Sequence, residues 1–218
     1  MKKIVRPALV LVALAFTSSP ALAAWGLFDA DRSYIGINVG GVTNNYTVWT
    51  NAVGNIQNAV FSGTPFTNAS QTLQINYYDV KTFKNTNGGN SDVTGGTFNW
   101  AVYETGNRPT NLSFNTINID FINNIGVNGD QKWGFSANTT SILAAPAVSF
   151  TSGLKNYTFE FYGAMNGTTP NTTVFDNNGG NNYVATFTTV PEPSTYALLA
   201  MSALGLAGYV ARRRARQS

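Results

Sequence analysis

Apolar and polar residues alternate with a period of two along much of this chain, and this pattern restricts the fold more than any other feature. The clearest alternating runs are residues 35–39, 73–77, 98–102, 117–121 and 157–161. Because successive side chains of a β-strand point to opposite faces, each run predicts a strand with one apolar face. Between residues 24 and 190 no stretch of ten or more residues shows helical spacing of apolar groups, so an all-β domain is predicted.

Turn-forming residues separate these runs. Gly and Asn recur at 40–41, 87–89, 128–130, 166–167 and 178–180, and both residues tolerate the positive φ angles of hairpin turns. About nine or more short strands joined in this way predict an antiparallel β-sandwich or jelly roll. A solenoid of repeats is the alternative architecture, although the sequence shows no fixed period.

The net positive charge of the chain comes from basic residues near its two ends. The formal net charge is +3 and the pI is 9.2, but seven of the 13 Lys and Arg residues flank apolar runs near the termini. Between residues 24 and 190, six basic residues face nine acidic residues, so this region is net acidic. Nucleic-acid binding is therefore not predicted, because it depends on clustered Lys and Arg.

The chain contains no Cys and no His. Disulfides, thiolate and imidazole metal ligands and the commonest catalytic bases are thereby excluded, and no catalytic residue, metal site or cofactor is predicted. The remaining enzymatic alternative is a glycoside hydrolase, which needs only two carboxyl groups. Glu104 and Glu160 are the only glutamates between residues 24 and 190. Glu160 lies between Phe159 and Phe161 and is predicted to be an exposed, solvated side chain on the opposite face of its strand.

The first 23 residues have the organisation of a secretory signal peptide. Three basic residues precede an apolar stretch at 7–16, and small residues follow it. Cleavage is predicted after Ala23, at a site formed by Ala21, Ala23 and Ala24. An uncleaved anchor is the weaker alternative, because a bilayer core requires about 20 apolar residues. A secretory signal of this kind implies export through the Sec translocon.

Residues 190–217 combine three features with separate physical roles. Pro191, Glu192 and Pro193 form a box whose prolines disfavour helix and strand pairing, which suits an extended segment that a protease can bind. Residues 196–211 are an apolar run that predicts a single short transmembrane helix. By the positive-inside rule the stop-transfer arginines that follow stay cytoplasmic and the preceding domain lies outside the inner membrane. These arginines are Arg212, Arg213, Arg214 and Arg216.

This three-part tail closely resembles the PEP-CTERM sorting signal, whose substrates are processed by the membrane protease-transpeptidase exosortase. The resemblance implies recognition at the box Pro191, Glu192 and Pro193, transient inner-membrane anchoring, and delivery to the cell surface or extracellular matrix of a Gram-negative bacterium. It divides the chain into a signal peptide at 1–23, an exported domain at 24–189 and a sorting signal at 190–217. A permanently anchored periplasmic protein is the alternative interpretation of the same tail.

The exported domain is predicted to be a structural, non-enzymatic protein that associates with exopolysaccharide or other matrix components of a biofilm. The chain has 27 Asn and 26 Thr but only 11% charged residues, so its exterior depends on uncharged polar groups. The main alternative is a carbohydrate-binding module, because Tyr78, Tyr103 and Tyr162 fall opposite the main apolar residues of their strands. Calcium binding at 85–92 or 176–182 is a weaker alternative, since both segments offer oxygen ligands but few carboxylates.

Overall fold

A computed structural model describes most of the chain. The described residues are 25–28, 32–49, 54–61, 65–84, 93–125, 129–136, 140–150, 153–168, 171–191 and 193–215. The predicted signal peptide at 1–23 and its cleavage residues Ala21, Ala23 and Ala24 lie outside them. So do Glu192, Arg216 and the possible calcium segment 85–92.

Strands account for most of the described residues, which confirms the prediction of an all-β domain. All five alternating runs lie within strands, in β2, β5, β6, β7 and β10. The strands are β1 (Trp25–Leu27), β2 (Ser33–Val39), β3 (Val42–Thr47), β4 (Ala59–Val60), β5 (Leu73–Lys84), β6 (Val93–Glu104), β7 (Asn115–Ile125), β8 (Asp130–Phe135), β9 (Thr140–Ser141), β10 (Lys155–Thr168), β11 (Asn171–Asp176) and β12 (Tyr183–Thr189).

The strands form one sheet that curls on itself. Its order is β3-β2-β5-β8-β7-β6-β10-β12-β4, with β1 and β9 also paired to β5 and β11 also paired to β10. Strand β7 joins the two arms of the sheet, because residues 115–119 pair with β6 and residues 120–125 pair with β8. We call the part that contains β2, β3, β5 and β8 the first arm and the part that contains β4, β6, β10, β11 and β12 the second arm. The pairing is antiparallel, as predicted, except between β12 and the two-residue β4.

The core lies between the inner faces of the two arms and is rich in aromatic rings. Tyr78 of the first arm approaches Phe98 of the second arm with 4.9 Å between ring centroids, and Phe135 of the first arm also contacts Phe98, at 5.6 Å. Within the second arm, Phe161 stacks on Tyr183 at 5.4 Å. Contacts between offset or edge-on rings stabilise such a core beyond the apolar area that they bury.

A β-bulge in β5 changes which tyrosine faces this core. The pairing with β2 skips Asn76, because Ile75 pairs with Ile37 and Tyr77 pairs with Gly36. The extra residue inverts the alternation, since side chains before and after a bulge no longer follow one period-two pattern. Tyr78 is therefore fully buried, which corrects the expectation that its ring lies on the exposed side of the strand.

Helix α1 (Pro193–Ala215) follows the sheet and contains the apolar run at 196–211. Its large apolar side chains are exposed where they are described, among them Leu198, Met201 and Leu204. No helix in the described part of the chain combines the length and the apolar character needed to cross a membrane. The predicted transmembrane helix is therefore not supported by the structure.

Gly134 provides a test of the sheet register. It pairs with Asp79 of β5 and with Asp120 of β7, and a Cβ added to it would lie 2.2 Å from the carbonyl oxygen of Tyr78. The two nearest atoms belong to the backbone of β5, which is held on its other edge by pairing with β2. Gly134→Ala is therefore expected to lower the free energy of unfolding by about 1–3 kcal/mol, measured by urea titration. Gly205→Ala is the control, because a Cβ there meets no atom within 4 Å. Equal stability of the two variants would contradict this register.

Candidate functional site

The sorting box begins almost where the last strand ends. Strand β12 ends at Thr189, and the backbone N–H of Val190 donates to the carbonyl oxygen of Phe66 at 2.8 Å. Pro191 is buried, and Pro193 is the first residue of α1. Proline suits the first position of a helix, because its missing N–H has no partner there and its φ is already helical. The two prolines of the box thus mark the end of the sheet and the start of the helix.

The arginine cluster lies at the C-terminal end of α1. Arg212 and Arg213 are exposed in the last turns of this helix, where cations interact favourably with the partial negative charge of the helix end. Their side chains are therefore accessible to a partner surface.

Two of the three tyrosines predicted to contact glycans, Tyr103 and Tyr162, project from the outer face of the second arm. Tyr103 of β6 lies in register with Thr158 of β10, and Tyr162 of β10 lies in register with Asn99 of β6. Paired residues of an antiparallel ladder share a face, so both tyrosines point away from the core. Tyr78 lies on the inner face of the first arm and is not part of this surface.

Glu160 is the centre of a polar cluster on this outer face. Its Oε2 accepts hydrogen bonds from the Tyr103 hydroxyl and from Arg108 Nε, each at 2.8 Å. Its Oε1 accepts from Arg108 Nη2 at 2.8 Å and from Asn182 Nδ2 at 2.7 Å. Only 2% of Glu160 is exposed. The prediction of an exposed, solvated carboxylate is therefore wrong, because Arg108 and Asn182 reach over it from neighbouring connections.

Burial and the hydrogen bonds within this cluster set the protonation states of Glu160, Tyr103 and Arg108. Burial opposes ionisation of Glu160, but hydrogen bonds from Arg108, Asn182 and Tyr103 outweigh it, and the pKa of Glu160 is lowered below its ordinary value. Burial, together with the hydrogen bond to Glu160, raises the pKa of Tyr103 to about 12. The hydrogen bonds to Glu160 also raise the pKa of Arg108. At neutral pH the cluster consists of an ionised carboxylate, a protonated phenol and a guanidinium cation.

An aromatic strip lies beside this cluster. The Tyr162 ring contacts Phe114 edge-on with 5.1 Å between centroids and contacts Phe175 with 6.2 Å. Phe175 is 50% exposed and the Arg108 side chain is 48% exposed. We define the outer-face surface as Arg108, Phe114, Tyr162, Phe175 and Asn182. It combines ring faces with hydrogen-bond donors, the two elements that sugar recognition requires. Tyr103 is not part of it, because only 8% of this residue is exposed and its hydroxyl is bound to Glu160, which corrects the expectation of an exposed ring.

A concavity adjoins this surface at Phe114. It has a volume of about 300 Å³ and is lined by Val102, Leu112, Ser113, Phe114, Asn115, Ala145, Pro146 and Ala147. Its lining mixes apolar and polar residues, and the Asn115 amide donates to the carbonyl oxygen of Trp100 at 3.5 Å. Because Val102 and Ala145 belong to the core, the concavity lies at the edge of the second arm and not on its outer face.

Glu104 does not join Glu160. It pairs with Tyr157, whereas Glu160 pairs with Ala101, so the two carboxylates project from opposite faces of the second arm. Glu104 instead accepts a hydrogen bond from Lys155 Nζ at 2.8 Å. A glycoside hydrolase requires two carboxyl groups on either side of one glycosidic bond, and these two glutamates do not form such a pair.

The possible calcium segment 176–182 forms a turn whose only carboxylate points away from it. Asp176 is fully buried and accepts hydrogen bonds from the hydroxyls of Tyr78 at 2.8 Å and Tyr183 at 3.0 Å. Arg32 Nε lies 3.4 Å from the same carboxylate. Burial raises the pKa of Asp176 despite this cation. The segment itself is stabilised by Asn177, whose side chain accepts from the Gly180 N–H at 3.1 Å. It connects β11 and β12, which pair one after the other with the same strand, β10.

A family model identifies the C-terminal segment. Residues 189–215 match the model of the PEP-CTERM protein-sorting motif. The tail is a PEP-CTERM sorting segment. This confirms the resemblance drawn from the sequence and indicates an exported protein that exosortase processes, with sorting to the cell envelope. No curated protein and no solved structure matches the chain.

The PEP-CTERM segment could be predicted from local sequence, whereas most of the outer-face surface could not. Arg108 and Asn182 lie 52 and 22 residues from Glu160 in the sequence, and neither belongs to a motif. Phe175 was not predicted; the one local signal that could have placed it outside is its alternation with the inward-facing Asp176 along β11. The matched segment begins at Thr189, the last residue of β12.

The lowered pKa of Glu160 predicts a pH-dependent contribution to stability. A carboxyl group with a depressed folded-state pKa stabilises the fold above its unfolded value, near 4.5, and this contribution is lost as the pH falls through the folded value. Glu160→Gln is therefore expected to lower the free energy of unfolding by about 2 kcal/mol at pH 7 and by less at pH 3, measured by urea titration. Glu104→Gln removes a partly exposed ion pair with Lys155. This variant should lower the free energy of unfolding by under about 1 kcal/mol. An equal loss of unfolding free energy in Glu160→Gln at pH 7 and at pH 3 would contradict the lowered pKa of Glu160.

Proposed function

We propose that this chain is the precursor of a non-enzymatic structural protein of the cell surface or extracellular matrix of a Gram-negative bacterium. Its signal peptide directs export, and exosortase then cuts at the PEP-CTERM segment at the inner membrane. The released body, residues 24–189, associates with exopolysaccharide or with other components of a biofilm matrix.

The position of the sorting motif is the observation that supports this proposal. The motif match covers 189–215, and all twelve strands of the described body end at or before Thr189. A cut after this point removes the helix and the arginines and leaves each of these strands intact. This order suits a folded body followed by a segment that is removed.

The exterior of the body supports an association with hydrated polysaccharide. On the first arm, Asn76 Nδ2 donates to Thr43 Oγ1 at 3.1 Å, and the Tyr77 hydroxyl donates to Asn45 Oδ1 at 3.0 Å. These residues are uncharged, and both hydrogen bonds lie on the exposed exterior of the sheet. Many such groups make individually weak hydrogen bonds, which suits binding to a hydrated polymer of repeating units through many contacts at once.

The sorting step is tested by variants of the tail. Replacing Pro191, Glu192 and Pro193 with three alanines, or Arg212, Arg213, Arg214 and Arg216 with asparagines, is expected to leave uncut precursor in the membrane fraction. The reason is that the first variant removes the box that exosortase recognises and the second removes the retention signal. Immunoblots of membrane and released fractions measure the outcome. Pro109→Ala, at an exposed proline of the body, is the control; normal release of both tail variants would contradict the proposal.

A second candidate function, a carbohydrate-binding module with a defined glycan ligand, is favoured by the outer-face surface. Tyr162 and Phe175 present ring surface next to Arg108, whose position is fixed by Glu160. A fixed donor beside an aromatic ring reduces the conformational entropy that a ligand must overcome on binding. This candidate differs from the first in requiring one specific sugar rather than many weak contacts.

Retention on polysaccharide separates the two candidates. For the carbohydrate-binding candidate, Tyr162→Ala and Phe175→Ala should each weaken retention of the purified body on the host exopolysaccharide about tenfold, the equivalent of one lost ring contact. Phe121→Ala is the matched control, because this ring is 48% exposed on β7 while Phe175 is 50% exposed on β11. Equal retention of all three variants would contradict a defined site on the outer face, and elution by one free sugar would support it.

A further inference from the structure

The junction between the folded body and the sorting box is held by a short segment from elsewhere in the chain. The N–H of Phe66 donates to the carbonyl oxygen of Thr188, and the N–H of Val190 donates to the carbonyl oxygen of Phe66, each at 2.8 Å. These two hydrogen bonds form a parallel bridge in which Phe66 is the partner of Thr189. We call residues 65–67 the strap.

The opposite side of the junction is also bound to the body. Thr189 pairs with Lys155 of β10, and its hydroxyl donates to the carbonyl oxygen of Ser149 at 3.0 Å. Thr189 is fully buried, and the Phe66 ring contacts Phe187 edge-on with 6.1 Å between centroids. The last residues before the box therefore lie between β10 and the strap.

This arrangement leaves no spacer in front of the box. The hydrogen bond of the strap reaches Val190, Pro191 is buried, and α1 starts at Pro193. Proteins that bind peptides in extended form do so mainly through the peptide's backbone N–H and C=O groups. The N–H of Val190 is already used by Phe66, and proline has no N–H to offer. An enzyme that engages the box from its N-terminal side has no free backbone donor between Thr189 and Pro191.

We propose that the strap restrains the sorting box and that release of Val190 and Pro191 from it is a step of exosortase processing. This inference rests on the proposed processing at the box. Release requires loss of the hydrogen bond to Val190 and of the packing around Pro191, which is a local opening at the end of a strand. Local openings of this kind occur without global unfolding. The strap thereby makes processing depend on the folded body as well as on the tail sequence.

An inserted spacer tests the restraint directly. Placing Gly-Ser-Gly-Ser between Val190 and Pro191 of the full precursor leaves the bridge to Phe66 intact and moves the box away from the body. Cutting in a pulse-chase experiment in the native host is expected to become about fivefold faster, since opening no longer precedes it. The same insertion between Gly40 and Gly41, in the exposed turn between β2 and β3, is the control and should leave the rate unchanged.

A disulfide between the strap and Thr189 tests the opposite change, a tighter restraint on the sorting box. The chain has no Cys, so Phe66→Cys with Thr189→Cys introduces one possible bond, between residues that are direct partners in the bridge. Once oxidised outside the inner membrane, this pair is expected to slow cutting at least tenfold, and adding a reductant during the chase should restore the rate. Each single variant controls for the lost side chain and should respond little to the reductant. Hydrogen exchange at the Val190 amide of the purified precursor provides a readout that does not depend on cutting.

The outcomes separate this inference from the proposed function. If the native precursor is cut and the triple-alanine box variant is not, processing is established, and an unchanged rate in both the spacer and the disulfide variants would show that the strap does not restrain the box. Rapid exchange of the Val190 amide in the native precursor would overturn the inference in the same way. If cutting of the native precursor does not depend on the box, the proposed processing itself fails.

Discussion

The buried carboxylate of Asp176 is the interaction on which closure of the curled sheet depends. It belongs to the second arm, yet it accepts a hydrogen bond from Tyr78 of the first arm as well as from Tyr183, and Arg32 approaches it. The Tyr183 hydroxyl oxygen also lies 3.0 Å from the carbonyl oxygen of Val48. Burying a carboxylate is costly unless its partners are in place. Arrangements of the two arms that separate Tyr78 from Asp176 are therefore disfavoured, and the network selects one way for the arms to face each other.

Local sequence patterns predicted the strands and the sorting segment. Contacts between residues distant in the sequence decided which side chains face the core and which residues form the outer-face surface. The run at 73–77 correctly predicted β5, but the bulge at Asn76 that turns Tyr78 inward depends on pairing with β2. Glu160 followed the alternation of β10 and does point away from the core. It is buried because Arg108 and Asn182 cover it, and no pattern within the strand contains them. The PEP-CTERM segment could be recognised because all of its features are contiguous in the sequence.

Glu160 and Asp176 are both buried carboxylates of the second arm, but their surroundings give them different roles. Glu160 accepts four hydrogen bonds, two of them from one guanidinium, and such bidentate pairs hold arginine in a single orientation. The result on the outer face is a rigid polar surface next to Tyr162. Asp176 has its partners on the inner side, where they fix the relation between the arms. One carboxylate thus orders the surface that meets the environment, and the other orders the core beneath it.

The position of β12 constrains the order of events during export. It is the final strand in sequence, but it lies inside the second arm, between β10 and β4, and it supplies Tyr183 to the closing network. A chain that emerges from a translocation channel with its N-terminus first delivers this strand last. The second arm cannot be completed until Thr189 has crossed, when only the tail is still inside. Completion of the body therefore waits for the residues that immediately precede the sorting motif.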